Sequence, residues 1–173
     1  QLGAAIGALA TNVLAYHFGN KDGLIDAVFR HRLPEIDRRR GELLAEADRA
    51  GWDLGIAALL RIFALPLFEQ TDTAGLHSYA RFLLGLERSG RLAVRGGVSE
   101  EFPETNRIIA LLIDRLPQGA TVSGPTRLRL VTSLLATMLQ IIDRSPELTS
   151  GKANDLFDEA LAMSAAALGA PVS

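Results

Sequence analysis

Apolar residues recur at three- and four-residue spacing along almost the whole chain, and the alternation typical of a half-buried strand is scarce. Glycine, proline and asparagine-aspartate clusters interrupt this spacing and mark turns. The pattern predicts an all-α protein. The expected helices cover residues 1–7, 10–18, 23–49, 52–69, 75–88, about 100–116, 125–144 and 152–168. We expect Pro34 to kink or end its helix after Leu33, because proline lacks the amide that the helix ladder uses.

Composition limits the functions that need to be considered. The 173 residues suit one domain or a small module, and 48% of them are hydrophobic, with a mean hydropathy of +0.18. This apolar surplus favours a subunit interface or an apolar cavity. A net charge of −2 gives no overall basic character, and the absence of cysteine excludes disulfides and thiolate metal sites.

The termini and apolar runs bear on location. The longest apolar runs are shorter than the roughly 18 residues of a membrane span, and no basic-then-apolar leader opens the sequence. We therefore expect a cytoplasmic protein that contacts no membrane. Because Gln1 already lies inside a helical pattern, we also expect the chain to be N-terminally incomplete.

The stretch NVLAYHFGNKDGL, residues 12–24, has the pattern of a helix-turn-helix when it is taken with the short helix before it. Leu14 and Phe18 are four residues apart and share the inward face, so Tyr16 and His17 look outward toward bases or phosphates. Lys21 begins the next helix, where it can meet a phosphate. Residues 1–21 contain no acidic side chain that would repel DNA. Two structural alternatives stay open: Tyr16 packs with its hydroxyl at the rim, and His17 interacts with the last carbonyls of its helix.

The segment LATNVLAYHFGNKDGLIDAV resembles the signature of the TetR (tetracycline-repressor) family of transcriptional regulators. The matching positions are Leu14, Tyr16, His17, Phe18, Gly19, Lys21 and Leu24. The resemblance covers roughly the first 30 residues and implies a DNA-binding module at 1–33 and an effector-binding and dimerisation domain at 34–173. It implies contacts with a double-stranded DNA operator, by recognition-helix residues and by Lys21 to the backbone: Thr11, Asn12, Ala15, Tyr16, His17 and Lys21.

The sequence departs from the family pattern in the turn. Ala8 and Ala10 stand where the family usually has glycine and serine, and Ala10 cannot cap the recognition helix. Thr11 could cap it instead. The first helix of the family module is absent from this chain.

The resemblance also implies a small-molecule effector that binds inside the helical body and weakens binding to the operator. The candidates for lining such a pocket are Phe63, Leu67, Phe68, His77, Tyr79, Phe82, Met138 and Gln140. The alternative is that these residues form simple core. Because His77 and Tyr79 are two residues apart, they diverge on a helix and at most one can face a cavity. The apolar surplus favours a hydrophobic effector. The run DRRRGE, residues 37–42, is interpreted as a solvated face with pairs such as Asp37 and Arg40.

The last two helices favour a homodimer. Helix 125–144 is apolar around most of its circumference, and helix 152–168 places large residues among alanines that permit close approach. A four-helix interface would use Leu128, Val131, Leu135, Met138, Ile142, Phe157, Leu161 and Leu168. The alternative is an ordinary monomeric core.

No catalytic constellation is visible in the sequence. The three histidines, His17, His31 and His77, have no metal-binding spacing, and no glycine-rich phosphate loop is present. Asp114 and Asp143 are interpreted as interface or cap residues. We therefore expect no enzyme activity, no cofactor and no metal, and we predict a homodimeric, ligand-responsive repressor. The competing hypotheses are an all-helical small-molecule binding dimer without DNA function and a helical enzyme.

Overall fold

The computed structural model describes residues 20–91, 100–120 and 123–171. Within these ranges the chain forms helices and no strands, which confirms the all-α class. The helices are α1 (Lys21–Ala50), α2 (Ile56–Glu69), α3 (Ser78–Arg88), α4 (Pro103–Asp114), α5 (Gly124–Asp143) and α6 (Ser150–Gly169). Each corresponds to a segment that the hydrophobic spacing predicts, with ends shifted by a few residues.

Helix α1 is bounded by the residues that the sequence indicates. Asn20 caps its start, because the side-chain oxygen accepts a hydrogen bond from the Gly23 amide at 2.9 Å. Asp22 lies in the first turn, where a carboxylate is favoured. Gly51 ends the helix with a left-handed φ of 65°, and the amide of Trp52 donates to the carbonyl of Ala47 at 3.1 Å.

The expected end of the helix at Pro34 is wrong, because α1 runs through this residue without interruption, while a kink there stays a prediction. Pro34 is exposed, and so is Arg30, whose carbonyl would otherwise accept the missing amide. Water can satisfy that carbonyl. The neighbouring side chains Leu33 and Ile36 are buried and hold both halves of the helix against the same core.

Helix α2 lies at the centre of the packing. It contacts α1, α4 and α6, while α5 packs along both α3 and α6. The large side chains with almost no exposure come from every helix except α3, and burial of each contributes about 2 kcal/mol. They are Phe29, Ile36, Leu44, Leu59, Leu60, Ile108, Leu112, Leu139 and Leu168. None of the helices that the structure describes is both long and apolar enough to cross a membrane.

The predicted dimer interface needs a correction. Six of its eight residues are buried inside the protomer itself, where α5 and α6 pack on each other and on the other helices: Leu128, Val131, Leu135, Phe157, Leu161 and Leu168. Met138 and Ile142 are half-buried against the same core. Side chains covered by their own chain do not face a partner, so the six buried residues are protomer core, whereas the role of the half-buried Met138 and Ile142 stays a prediction. The large apolar side chains that α5 and α6 do expose are Leu130, Ile141 and Met163.

The predicted helix-turn-helix falls largely outside the described residues. Thr11, Asn12, Ala15, Tyr16 and His17 lie in residues 1–19, so their roles stay predictions. The proposed boundary between residues 33 and 34 falls inside the continuous helix α1.

Candidate functional site

A cavity of about 570 Å³ lies among the first five helices. Its volume is within the range of small-molecule sites, roughly 300–1,000 Å³. The wall is mainly apolar, as in sites that bury most of a ligand. The lining residues are Leu33, Ile36, Arg40, Phe63, Leu67, Tyr79, Leu83, Leu84, Glu87, Gly90, Thr105, Ile109, Ile113, Pro125, Leu128, Arg129, Thr132, Ser133 and Ala136.

One buried cation, Arg40 of α1, forms part of the cavity wall. Its side chain is only 3% exposed. Nε and Nη2 donate to the carbonyl of Phe63 at 3.0 and 2.6 Å, and Nη1 donates to the hydroxyl of Thr105 at 2.8 Å. The guanidinium carbon lies 4.3 Å from the centroid of the Phe63 ring, which adds a cation–π contact. These contacts fix the orientation of a planar, charged donor group in an apolar site.

The carboxylate of Asp37 is held one turn earlier on the same helix, at the start of α4. Its Oδ1 accepts from the amide of Thr105 at 2.7 Å, and its Oδ2 accepts from the amide of Glu104 at 3.4 Å. Free amides at a helix N-terminus favour such a carboxylate. The backbone amide of Thr105 therefore donates to Asp37, and its hydroxyl accepts from Arg40. These two hydrogen bonds connect α1 to α4 at the cavity wall.

These contacts correct the interpretation of DRRRGE as a solvated face. Asp37 and Arg40 are buried, whereas Arg38 lies on the exposed side of α1 and pairs with Glu42. Arg39 is partly exposed and makes a two-pronged ion pair with Glu69 of α2, with both distances 2.9 Å. Helical spacing could have found the two buried residues, because positions 33, 36, 37, 40 and 44 form one continuous stripe.

The cavity wall also includes exposed residues. Arg129 of α5 and Glu87 of α3, which both line the cavity, form an ion pair, and Nε of Arg129 lies 3.3 Å from Oε2 of Glu87. The hydrogen bond that Arg129 donates to Glu87 and the charge of this carboxylate raise the pKa of Arg129. Pro125 and Gly90, which also line the cavity, are exposed. The cavity wall thus includes both the buried Arg40 and the exposed, ion-paired Arg129.

The predicted pocket residues divide into two groups. Phe63, Leu67 and Tyr79 line the cavity, whereas Phe68, His77, Phe82, Met138 and Gln140 do not. Of the diverging pair on α3, Tyr79 is the residue that reaches the cavity. Arg40, Thr105 and the wall residues of α4 were missed, because nothing local in the sequence shows that α1 and α4 enclose a space.

His77 lies in a closely packed cluster with Phe68, Asp143 and Phe157, and this cluster is called the joint. Its Nδ1 lies 2.6 Å from Oδ1 of Asp143, its Nε2 lies 3.0 Å from the carbonyl of Phe68, and its backbone amide donates to both oxygens of Asp143. The Phe68 ring stacks on His77 on one side and on Phe157 of α6 on the other, with centroids 5.7 and 4.4 Å apart. Asp143 therefore serves as a cap at the start of α3, and His77 links α2, α3 and α5.

The remaining predicted pocket residues, Phe82, Met138 and Gln140, are partly buried outside the cavity wall. Phe82 meets Phe29 edge-on with centroids 5.7 Å apart and stacks on Tyr79 at 5.9 Å, just behind the cavity wall. Met138 and Gln140 are half-buried on α5. Among the residues that the structure describes, no three histidine, aspartate or glutamate side chains come close enough to hold a metal ion.

Lys21 is the one predicted DNA-contacting residue that the described ranges include. It is the first residue of α1, and its side chain is exposed. Comparison with protein-family models, curated proteins and solved structures finds no match for this chain. The functional conclusion therefore depends on the residues of the chain, namely the motif around Lys21 and the cavity beside α1.

Proposed function

We propose that the protein is a ligand-responsive DNA-binding transcriptional regulator, a repressor that leaves its operator when a small molecule occupies the cavity. The sequence pattern around Tyr16, His17 and Lys21 supports DNA binding. The cavity among α1 to α5 supports ligand binding. The two features belong to one mechanism because a single helix adjoins both of them.

The continuity of α1 carries this proposal. The helix begins at Lys21, directly after the motif, and runs unbroken to Ala50. Three of its buried residues, Leu33, Ile36 and Arg40, form part of the cavity wall. A ligand that shifts this wall therefore tilts the rod at whose start the DNA-contacting module sits. The ligand must prefer the tilted state, because equal affinity for both states would shift no population.

The proposed regulator is a homodimer whose recognition elements enter successive major grooves. The exposed apolar residues of α5 and α6 replace the buried set as the proposed contact surface. Leu130 is 67% exposed and Ile141 is 48% exposed, and their spacing of eleven residues, about three turns, places both on one face of α5. Met163 on α6 is 51% exposed. Sedimentation should show a dimer at micromolar concentration that Leu130→Glu and Ile141→Glu together convert to monomer.

The central experiment measures binding of the full protein to the DNA upstream of its own gene. We expect sequence-preferring binding that weakens steeply as salt rises. Tyr16→Ala should reduce affinity for the preferred site. Lys21→Ala should weaken binding to all sequences and reduce the salt slope by about one.

The chain provides a matched control for Lys21. Lys152 is the other lysine of the sequence, and it is exposed in the first turn of α6, far along the chain from the motif. Lys152→Ala should leave both affinity and salt slope unchanged. Equal effects of the two substitutions would show nonspecific attraction, and the absence of any DNA binding would reject the regulator.

The cavity alone favours a second function, that of an all-helical small-molecule binding protein without DNA contacts. This alternative predicts ligand binding that neither depends on DNA nor changes DNA affinity. Adding a cavity ligand to a preformed protein–DNA complex separates the two. Release of the DNA supports the regulator, whereas ligand uptake by a protein that does not bind DNA supports the alternative.

A further inference from the structure

We propose that the cavity takes an uncharged ligand that is mainly hydrocarbon, and that it discriminates against ligands with a net charge of either sign. This inference rests on the proposed function only in taking the cavity as a ligand site, and it adds the chemical class of the ligand. Two observations carry it: the apolar wall, and the pairing of opposite charges among the lining residues that the structure describes and their neighbours.

The wall provides a site for a hydrocarbon body. Aliphatic side chains reach the cavity from each of the first five helices, including Leu33, Leu67, Leu83, Ile109 and Leu128. A hydrocarbon body placed among them leaves water, which is favourable in proportion to the apolar area that becomes buried. A strongly polar body would lose its hydration along the same wall without compensating hydrogen bonds.

The positive charge of Arg40 is balanced inside the protein. Its guanidinium donates three hydrogen bonds, two to the carbonyl of Phe63 and one to the hydroxyl of Thr105. The buried carboxylate of Asp37 accepts from the amide of the same Thr105, so two opposite charges bind one residue of the wall. An anionic ligand would compete with these groups and be repelled by Asp37, and a cationic ligand would be repelled by Arg40.

The other charged residues in the described part of the wall, Arg129 and Glu87, are balanced by each other. Arg129 donates through Nε and Nη2 to the two carboxylate oxygens of Glu87. An anion could pair with Arg129 only by displacing Glu87, and a cation could pair with Glu87 only by displacing Arg129. Either exchange leaves one charge without its partner. An uncharged ligand leaves the pair intact.

Calorimetric titration with three probes of equal carbon number tests the charge preference. The probes are decanol, decanoate and decylammonium, added to the full protein without DNA at about pH 7, where both ions keep their charge. Decanol should bind at least about 10-fold more tightly than either ion, because an ion gives up hydration without gaining an available counter-charge. Equal or tighter binding of either ion, or no binding of decanol, would overturn the proposal.

Two substitutions in the wall should shift the preference in opposite directions. Glu87→Gln leaves the charge of Arg129 without its carboxylate, so the affinity for decanoate should rise about two- to fivefold relative to decanol, as expected of a partly exposed ion pair. Arg129→Gln leaves Glu87 without its cation and should favour decylammonium by a similar factor. The absence of these opposite shifts contradicts the proposed origin of the preference.

Two further variants are controls. Asp158 pairs with Arg61 on the surface, and neither residue lines the cavity, so Asp158→Asn should leave all three affinities unchanged. A shift as large as that of Glu87→Gln would mean that the net charge of the protein, and not the wall, sets the preference, and it would overturn the proposal. Glu87→Gln combined with Arg129→Gln removes both charges and should restore the preference for decanol.

The position of the bound probe is tested separately. Leu83→Trp fills the cavity from its wall and should abolish binding of decanol; undiminished binding to the folded variant overturns the proposal. Should this variant fail to fold, nuclear Overhauser contacts in wild-type protein report the position. Decanol should contact the methyl groups of Leu33 and Ile109, and contacts with the exposed Leu130 in their place would overturn the proposal.

These measurements fail independently of the proposed regulator. Because no DNA is present, selective binding of decanol can stand while DNA binding fails. DNA binding can likewise stand while an ion binds the cavity more tightly than decanol does.

Discussion

Two buried ionisable side chains, Arg40 and His77, bond to backbone carbonyls of the same helix, yet they lie in different surroundings. Arg40 donates to Phe63 beside a cavity of about 570 Å³. His77 contacts Phe68 and is enclosed between an aromatic ring and Asp143. Similar local chemistry therefore produces a candidate binding group where packing leaves space, and a structural joint where packing is closed. Exposure alone does not separate them, because both are almost fully buried.

The largest expected effect tests the joint at His77. Asp143→Ala removes the acceptor of both the His77 ring and its backbone amide, and it leaves buried donors unsatisfied. We expect the free energy of unfolding to fall by about 3 kcal/mol, measured by urea denaturation. The effect should be confined to stability, because neither Asp143 nor His77 lines the cavity.

Asp114 provides the control for that substitution. It is also an aspartate at the last position of a helix, but it is exposed. Asp114→Ala should change stability by less than about 0.5 kcal/mol. Similar losses for the two variants would mean that removal of an acidic side chain, and not the joint, accounts for the effect.

A smaller effect on stability is expected at Arg40. Thr105→Val keeps the side-chain shape but removes the hydroxyl that accepts from Nη1 of Arg40. We expect a loss of about 1–2 kcal/mol in the free energy of unfolding, measured by urea denaturation. Thr137→Val, on the exposed face of α5, is the control and should leave this free energy unchanged. Equal stability of the Thr105→Val variant and the wild-type protein would show that the hydrogen bond from Arg40 to Thr105 does not stabilise the fold.

The fold could largely be predicted from the sequence, whereas the site could not. Periodicity places the helices because a one-sided apolar stripe is a local property, and Asn20 and Gly51 mark the ends of α1 by local cap chemistry. Pro34 misled the prediction because its tolerance depends on being exposed, which is a tertiary property. The interface residues of α5 and α6 were misassigned for a related reason. An apolar helix face does not reveal whether the same chain or a second copy covers it.

Two residues have roles opposite to those predicted, because His77 does not line the cavity and Arg40 does. His77 was predicted to line the pocket because it is a polar residue beside aromatic ones. Its ring instead bonds to Asp143, which is 66 residues away in the sequence, and this contact makes His77 part of the joint. Arg40 was assigned to a solvated face because it lies in a charged run, but the stripe through Leu33, Ile36 and Leu44 turns it inward. In both cases the partner that decides the role is remote in the sequence.

The smallest expected effect concerns the loop that leads into His77. Asp72 accepts hydrogen bonds from the amides of Leu76 and Ala74 at 3.1 and 2.9 Å, and these bonds lower the pKa of Asp72 below its ordinary value of 3.8. A carboxyl with a lowered folded-state pKa stabilises the fold above its unfolded-state pKa. That stabilisation is lost as the pH falls through the lower, folded-state value. Acid sensitivity from this loop is therefore confined to pH values below about 4.

Asp72→Asn should remove this contribution, so its free energy of unfolding should fall less steeply with acid than that of the wild-type protein. Urea denaturation across about pH 2 to pH 7 measures the difference, and Asp53→Asn, in an exposed loop, controls for the loss of one carboxylate. If the Asp72→Asn and wild-type curves run parallel, the loop gives the joint no acid-sensitive support. The closed character of the His77 region would then come from the Asp143 contacts and the stacked rings alone, which would widen its contrast with the cavity at Arg40.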